Sequence, residues 1–89
     1  MKITVDISMY PLDSNYIPPI KGFIRALRAH EEMEIVTNQL STQIRGDFDV
    51  VMSALRDCMR ESMISNRKVV FVTRFLNSDL EIGRLPNID

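Results

Sequence analysis

The sequence predicts an α+β sandwich of ferredoxin-like topology, with two helices on one face of a four-stranded antiparallel sheet. Three observations carry this. The chain opens on alternating apolar and polar residues, two stretches of helical period follow at intervals, and short β-branched runs separate and close them. The elements therefore read β-α-β-β-α-β. Right-handed crossovers on a single sheet turn that order into strand order 4-1-3-2. Eighty-nine residues, 45% hydrophobic and 26% charged, have the size and balance of one globular domain. That domain is placed at residues 1–76, followed by a C-terminal tail at 77–89, which reads as a loose terminus or an arm toward a partner subunit.

In the first segment Ile3, Val5, Ile7 and Met9 share one face, and Thr4, Asp6, Ser8 and Tyr10 share the other. Period two marks a half-buried strand, which Pro11 ends because it has no N–H to donate. Asp13, Ser14 and Asn15 offer N-cap side chains, and Pro18 and Pro19 suit only a first helical turn. Ile20, Phe23, Ile24 and Leu27 then make one helix stripe, ending near His30. Gly22 inside it costs about 1 kcal/mol relative to Ala, which close packing on the sheet would explain.

Met33–Thr37 and Ser41–Arg45 read as an antiparallel hairpin, with Asn38, Ser41 and Thr42 as turn-compatible residues. Gly46-Asp47 is expected to break the third strand, with Asp47 capping the second helix and Asp49 complementing its dipole. Phe48, Val51, Met52, Leu55, Met59 and Met63 keep helical spacing, the methionines as core material, and Ser65-Asn66 stop the helix. Lys68–Leu76 is the last strand, and its consecutive Val69, Val70, Phe71 and Val72 predict burial deeper than that of the others.

Composition bounds function. Net charge is −1, with eleven basic residues dispersed among twelve acidic ones, so no basic stripe points to nucleic acid. No run approaches the roughly 18 apolar residues of a membrane span. A single cysteine and a start without an apolar leader fit a cytoplasmic protein. Neither paired cysteines, nor a His-x-x-x-His, nor a glycine-rich phosphate loop occurs, so no catalytic or metal residue is assigned and no enzyme is expected. His30 is expected to turn to carbonyls at its helix end, and Cys58 to act as small packing material. Asp6, mid-strand on a polar face, calls for a partner, either Arg45 on the third strand or a cationic ligand.

Two helices leave one sheet face open. That face is either solvated or a subunit interface, and the small domain size favours the interface. One corner gathers short polar side chains: Ser8 and Tyr10 at the end of the first strand, Thr37, Asn38, Ser41 and Thr42 at the hairpin, and Tyr16 before the first helix. Tyr10 or Tyr16 is available to stack on a flat ring, so a small aromatic ligand with a few donors and acceptors suits the corner.

The runs Ile7-Ser8-Met9-Tyr10-Pro11-Leu12, Tyr16-Ile17-Pro18-Pro19-Ile20 and Thr37 through Met52 resemble the YkoF-like thiamine/hydroxymethylpyrimidine-binding family. The likeness extends from the first strand to Phe75, and Ser41–Met52 is its most specific part. The resemblance implies a ferredoxin-like fold and binding of thiamine or its hydroxymethylpyrimidine precursor without chemical change. On matching positions it makes Ser8, Tyr10, Thr37, Asn38, Ser41 and Thr42 pocket candidates. Asp6 is the carboxylate nearest to hand for a cationic thiazolium. Some relatives carry two repeats in one chain; a single copy implies self-association, as a dimer or tetramer, to rebuild the pair. The alternative is an assembly or regulatory module whose open face mediates oligomerisation, with a different ligand or none.

Overall fold

β1 (Lys2–Pro11), α1 (Ile17–Arg28), β2 (Glu34–Thr37), β3 (Thr42–Asp47), α2 (Phe48–Ser65) and β4 (Val69–Leu76) follow one another in a computed structural model describing residues 1–66 and 68–89. The four strands form one antiparallel sheet of order β2-β3-β1-β4, the predicted order read from its other edge.

The odd residues of β1 face the helices. Val5, Ile7, Leu27, Ile44, Val51 and Leu55 are essentially withdrawn from water, each stabilising the fold by roughly 1.5–3 kcal/mol. Phe23 of α1 meets Phe71 of β4 with ring centroids 5.0 Å apart and tilted by 51°, within the contact range of favourable aromatic pairs.

Several expectations are corrected. β4 is an edge strand and the most exposed of the four, not the most buried. Only Val69 and Phe71 of its apolar run pack on the core, while Val70 and Val72 stand on the open face. β3 runs through Gly46 and Asp47 instead of breaking there. Gly46 sits in a tight place inside the strand, since a Cβ would lie 3.2 Å from Val51 Cγ2 and 3.6 Å from the Met33 backbone. Gly22 is the reverse case: a Cβ there meets nothing within 4 Å, so close packing does not account for it.

The buried face of α2 is Val51, Ala54, Leu55, Cys58 and Ser62. Met59 packs partly against the core, whereas Phe48, Met52 and Met63 are exposed. The methionine stripe therefore lies at the border of the buried face. The α1 N-cap is Tyr16, with no side-chain bond to the helix. Asp13 instead accepts from Asn15 N at 3.2 Å within its own turn. Asp47 does occupy the α2 N-cap, but its carboxylate lies 3.5 Å from the Met1 ammonium and makes no cap bond. Ser65 and Asn66 end α2 as expected, Asn66 Nδ2 donating to the Ser62 carbonyl at 2.6 Å.

Candidate functional site

Register decides where the site lies. Pairing between β1 and β3 stops at Ile7↔Thr42, whereas β1 stays paired with β4 as far as Pro11↔Val69. Beyond Ile7, β1 has a neighbour on one side only. The hairpin bend, residues 38–41, peels away on the other side and leaves a notch in the sheet. Ile20, Phe23 and Ile24 of α1 wall it from the helix side. The resulting hollow measures about 130 Å³, close to the roughly 150 Å³ of an apolar cavity that takes up a benzene ring.

Asn38 shapes the bend. Its Oδ1 accepts from Leu40 N at 2.9 Å and Ser41 N at 3.0 Å, and its own N–H donates to the Ser41 carbonyl at 3.0 Å. This is an Asx-type turn, in which a side chain stands in for the backbone. Behind it the hydroxyls of Thr37 and Thr42 lie 3.1 Å apart, Thr42 being buried.

Six of the eight sequence candidates border this hollow: Ser8, Tyr10, Thr37, Asn38, Ser41 and Thr42. They divide between the two faces of the sheet. Thr37 and Thr42 lie on the helix side. Ser8, Tyr10 and Ser41 border the notch along the chain, and strand alternation sets their side chains on the open face. Tyr16, half exposed, does not line the hollow, and neither does Asp6. Sequence reasoning missed the wall of Ile20, Phe23 and Ile24, which read as core because an apolar stripe looks the same whether it meets a neighbour or a cavity.

Asp6 has a partner, but not Arg45. Its Oδ2 accepts from Arg74 Nη2 of β4 at 2.8 Å, and its Oδ1 accepts from Ser41 Oγ at 2.6 Å and Gln43 Nε2 at 3.2 Å. Burial pushes the Asp6 carboxyl up, but hydrogen bonds from Ser41, Arg74 and Gln43, with the Arg74 charge, outweigh it and hold the group below its ordinary value. Ser41 thus ties the open-face network to the rim of the notch. Arg45 is drawn the other way, its Nε donating to Asp79 at 2.6 Å and Nη1 lying 3.6 Å from Glu34.

The tail crosses the opposite end of the open face. Thr4 Oγ1 donates to the Ser78 carbonyl at 2.7 Å and accepts from Leu80 N at 3.0 Å, which buries Thr4 on a face otherwise open. On the helix side, the His30 ring turns to Cys58, with Nε2 3.9 Å from Sγ, and not to the helix-end carbonyls. Burial first, then the charges of Glu61 and Asp57, push the Cys58 thiol up and favour its neutral form. Among the described residues no group of three or more His, Cys, Asp or Glu is placed to hold a metal ion, and no helix is long and apolar enough to cross a membrane.

A ferredoxin-like domain with a ring-sized notch at the end of its first strand is the class of protein these features define. The chain belongs to the YkoF-related family, whose model matches residues 2–78. Solved structures share its fold. A Streptococcus pneumoniae protein is 21% identical, with a TM-score of 0.83 over 93% of this chain and 94% of its own. A Thermotoga maritima protein, described as a candidate for thiamine biosynthesis or salvage, is 18% identical, with a TM-score of 0.76 over 97% of this chain and 90% of its own. A Methanocaldococcus jannascii hypothetical protein is 19% identical, with a TM-score of 0.74 over 98% of this chain and 88% of its own. No curated protein matches.

Proposed function

We propose that this domain binds thiamine or its hydroxymethylpyrimidine precursor without chemical change, working as a homo-oligomer. The observation that carries the reading is the notch itself, where the end of β1 and the hairpin bend meet around a hollow of about 130 Å³. An apolar wall with a few convergent polar groups is what a flat aminopyrimidine requires. Membership of the YkoF-related family supports it, as does the thiamine assignment suggested for the Thermotoga neighbour. Asp6 already receives four hydrogen bonds from three side chains, so a thiazolium would have to share it with Arg74. That favours the pyrimidine end as the group held in the notch. A neutral Cys58 thiol beside His30 offers no prepared nucleophile, which supports binding over catalysis.

Calorimetric titration with thiamine, its phosphates and hydroxymethylpyrimidine tests the reading. At a hundredfold excess over Kd a true ligand stabilises the domain by about 2.7 kcal/mol, visible as a rise in Tm. No heat and no rise with any of them would sink it.

A second reading has its own support. Tyr10, Val70 and Val72 are exposed together on the open face, an apolar strip, bounded by the exposed Arg74, suited to pairing subunits. In a pure assembly module the oligomer forms without ligand and Ser41→Ala changes nothing. Light scattering on the ligand-free protein and on Val72→Arg tests that strip as the interface, and the titration above separates the two readings, since a pure assembly module takes up none of the three ligands.

A further inference from the structure

Which groups in the notch would read the ligand follows from the way β1 distributes its hydrogen bonds. In an antiparallel sheet successive residues turn their N–H and C=O to opposite neighbours. Phe48 N donates to the Met1 carbonyl, and Leu12 N donates to the Lys68 carbonyl. The odd residues of β1 therefore bond toward β3 and the even ones toward β4. The last pair on the β3 side is Ile7↔Thr42. Met9 is the next odd residue, and its register partner would be Leu40. That position is withdrawn: Leu40 N donates to Asn38 Oδ1 at 2.9 Å. The Met9 N–H and C=O are thus left side by side at the edge of the hollow, which Met9 lines. Peptide groups without a protein partner at the edge of a half-open hollow are left to water, so a ligand that replaces the missing strand can take up both.

We propose that the main-chain N–H and C=O of Met9 form the recognition pair of the site, and that its ligands are planar heterocycles carrying a ring nitrogen beside an exocyclic amine. The ring nitrogen accepts from Met9 N–H, the amine donates to Met9 C=O, and the Asn38 turn keeps Leu40 from taking either place. The ring then lies in the slot against Ile20, Phe23 and Ile24. This rests on the binding role proposed above and narrows it: selection comes from backbone groups that no side-chain substitution removes.

The test uses the ¹⁵N-labelled full chain with two probes, hydroxymethylpyrimidine and the same compound lacking its amine. In the free protein the Met9 amide should exchange with solvent at least about tenfold faster than that of Ile7. Hydroxymethylpyrimidine should move the Met9 amide resonance and slow its exchange, and the deamino compound should bind about tenfold more weakly for the lost bond. Equal protection of Met9 and Ile7 without ligand would reveal an internal partner and overturn the inference. Binding of both probes with equal affinity, or binding that leaves the Met9 amide unmoved, overturns it while the proposed function stands. Binding of neither overturns both.

Discussion

The two ends of β1 are built from the same kind of residues and finished in opposite ways. Toward Lys2 the β3 side of the strand is filled to its end: β3 pairs as far as Asp47, Phe48 N closes on the Met1 carbonyl, and the tail straps across the Thr4 and Arg45 side chains. Toward Tyr10 the β3 ladder stops two residues after Val5↔Ile44, and Asn38 diverts the N–H that would have continued it. One end consumes its hydrogen bonds to make the fold; the other withholds them. A strand edge left open is a liability for aggregation, and here it is kept short and roofed by α1, which makes it suitable for a small guest.

Substitutions at the closed end should show where stability resides. Ile44, fully buried and paired with both Val5 and Ile35, is the centre of that end. Ile44→Ala should lower unfolding free energy by about 2–5 kcal/mol, read as a fall in the urea midpoint. A loss below about 1 kcal/mol would mean that the site collapses and that the contrast between the ends is not one of packing. Thr4→Val is the next largest. It removes both tail bonds while keeping shape, and about 1–2 kcal/mol should be lost. Faster hydrogen exchange at Leu80 N is the specific sign that the strap has come loose, and a change confined to β1 amides would argue against a strap.

Between the ends sits the Asp6 network, and pH probes it. The folded-state value of Asp6 lies below its ordinary 3.8. Its contribution is therefore complete above the unfolded value and is lost as pH falls through the lowered folded one, because the unfolded chain binds the proton first. Asp6→Asn should be less stable than the native protein at pH 7, and the gap should narrow as pH falls below 3.8 and through the lowered folded value. A gap that persists unchanged at low pH would show that the side chain's shape, not its charge, matters. Arg74 is exposed and Asp6 only about a quarter so. Salt should weaken the Arg74 share and leave the Ser41 and Gln43 bonds.

Legibility in the sequence follows the same division. Alternation in β1 and the periods of the two helices gave the element order and the sheet topology, since burial on one face imposes them. The hairpin bend and the end of β1 were also foreseeable as neighbours, because topology alone brings them together. Properties decided by what lies beside an element were not legible. The Val69–Val72 run carries the same letters whether both faces are covered or one is bare, and only the sheet order makes β4 an edge. For Asp6 the sequence offered Arg45 on the third strand or a cationic ligand, but pairing register sets Gln43 beside it on β3 and Arg74 across from it on β4. The notch arises from an absent pair, Met9 with Leu40, and no residue type announces that a ladder will stop.

The smallest predicted effect concerns Gly22, the one glycine inside a helix. It lines a groove between α1 and α2 together with Ala26, Cys58 and Ser62, and a Cβ there touches nothing. Glycine in a helix interior is about 0.5–1 kcal/mol less stable than alanine because it surrenders more backbone freedom on folding. Gly22→Ala should therefore raise stability by about that amount, a gain of about 2–8 °C in Tm for a domain of this size. Ligand affinity in the notch should be unaltered, because Gly22 is not among the residues that line it. A variant that melts lower would mean that the two helices close on one another in solution. The Met9 edge would then lie under a tighter roof than the open groove suggests, and the contrast between the two ends of β1 would narrow accordingly.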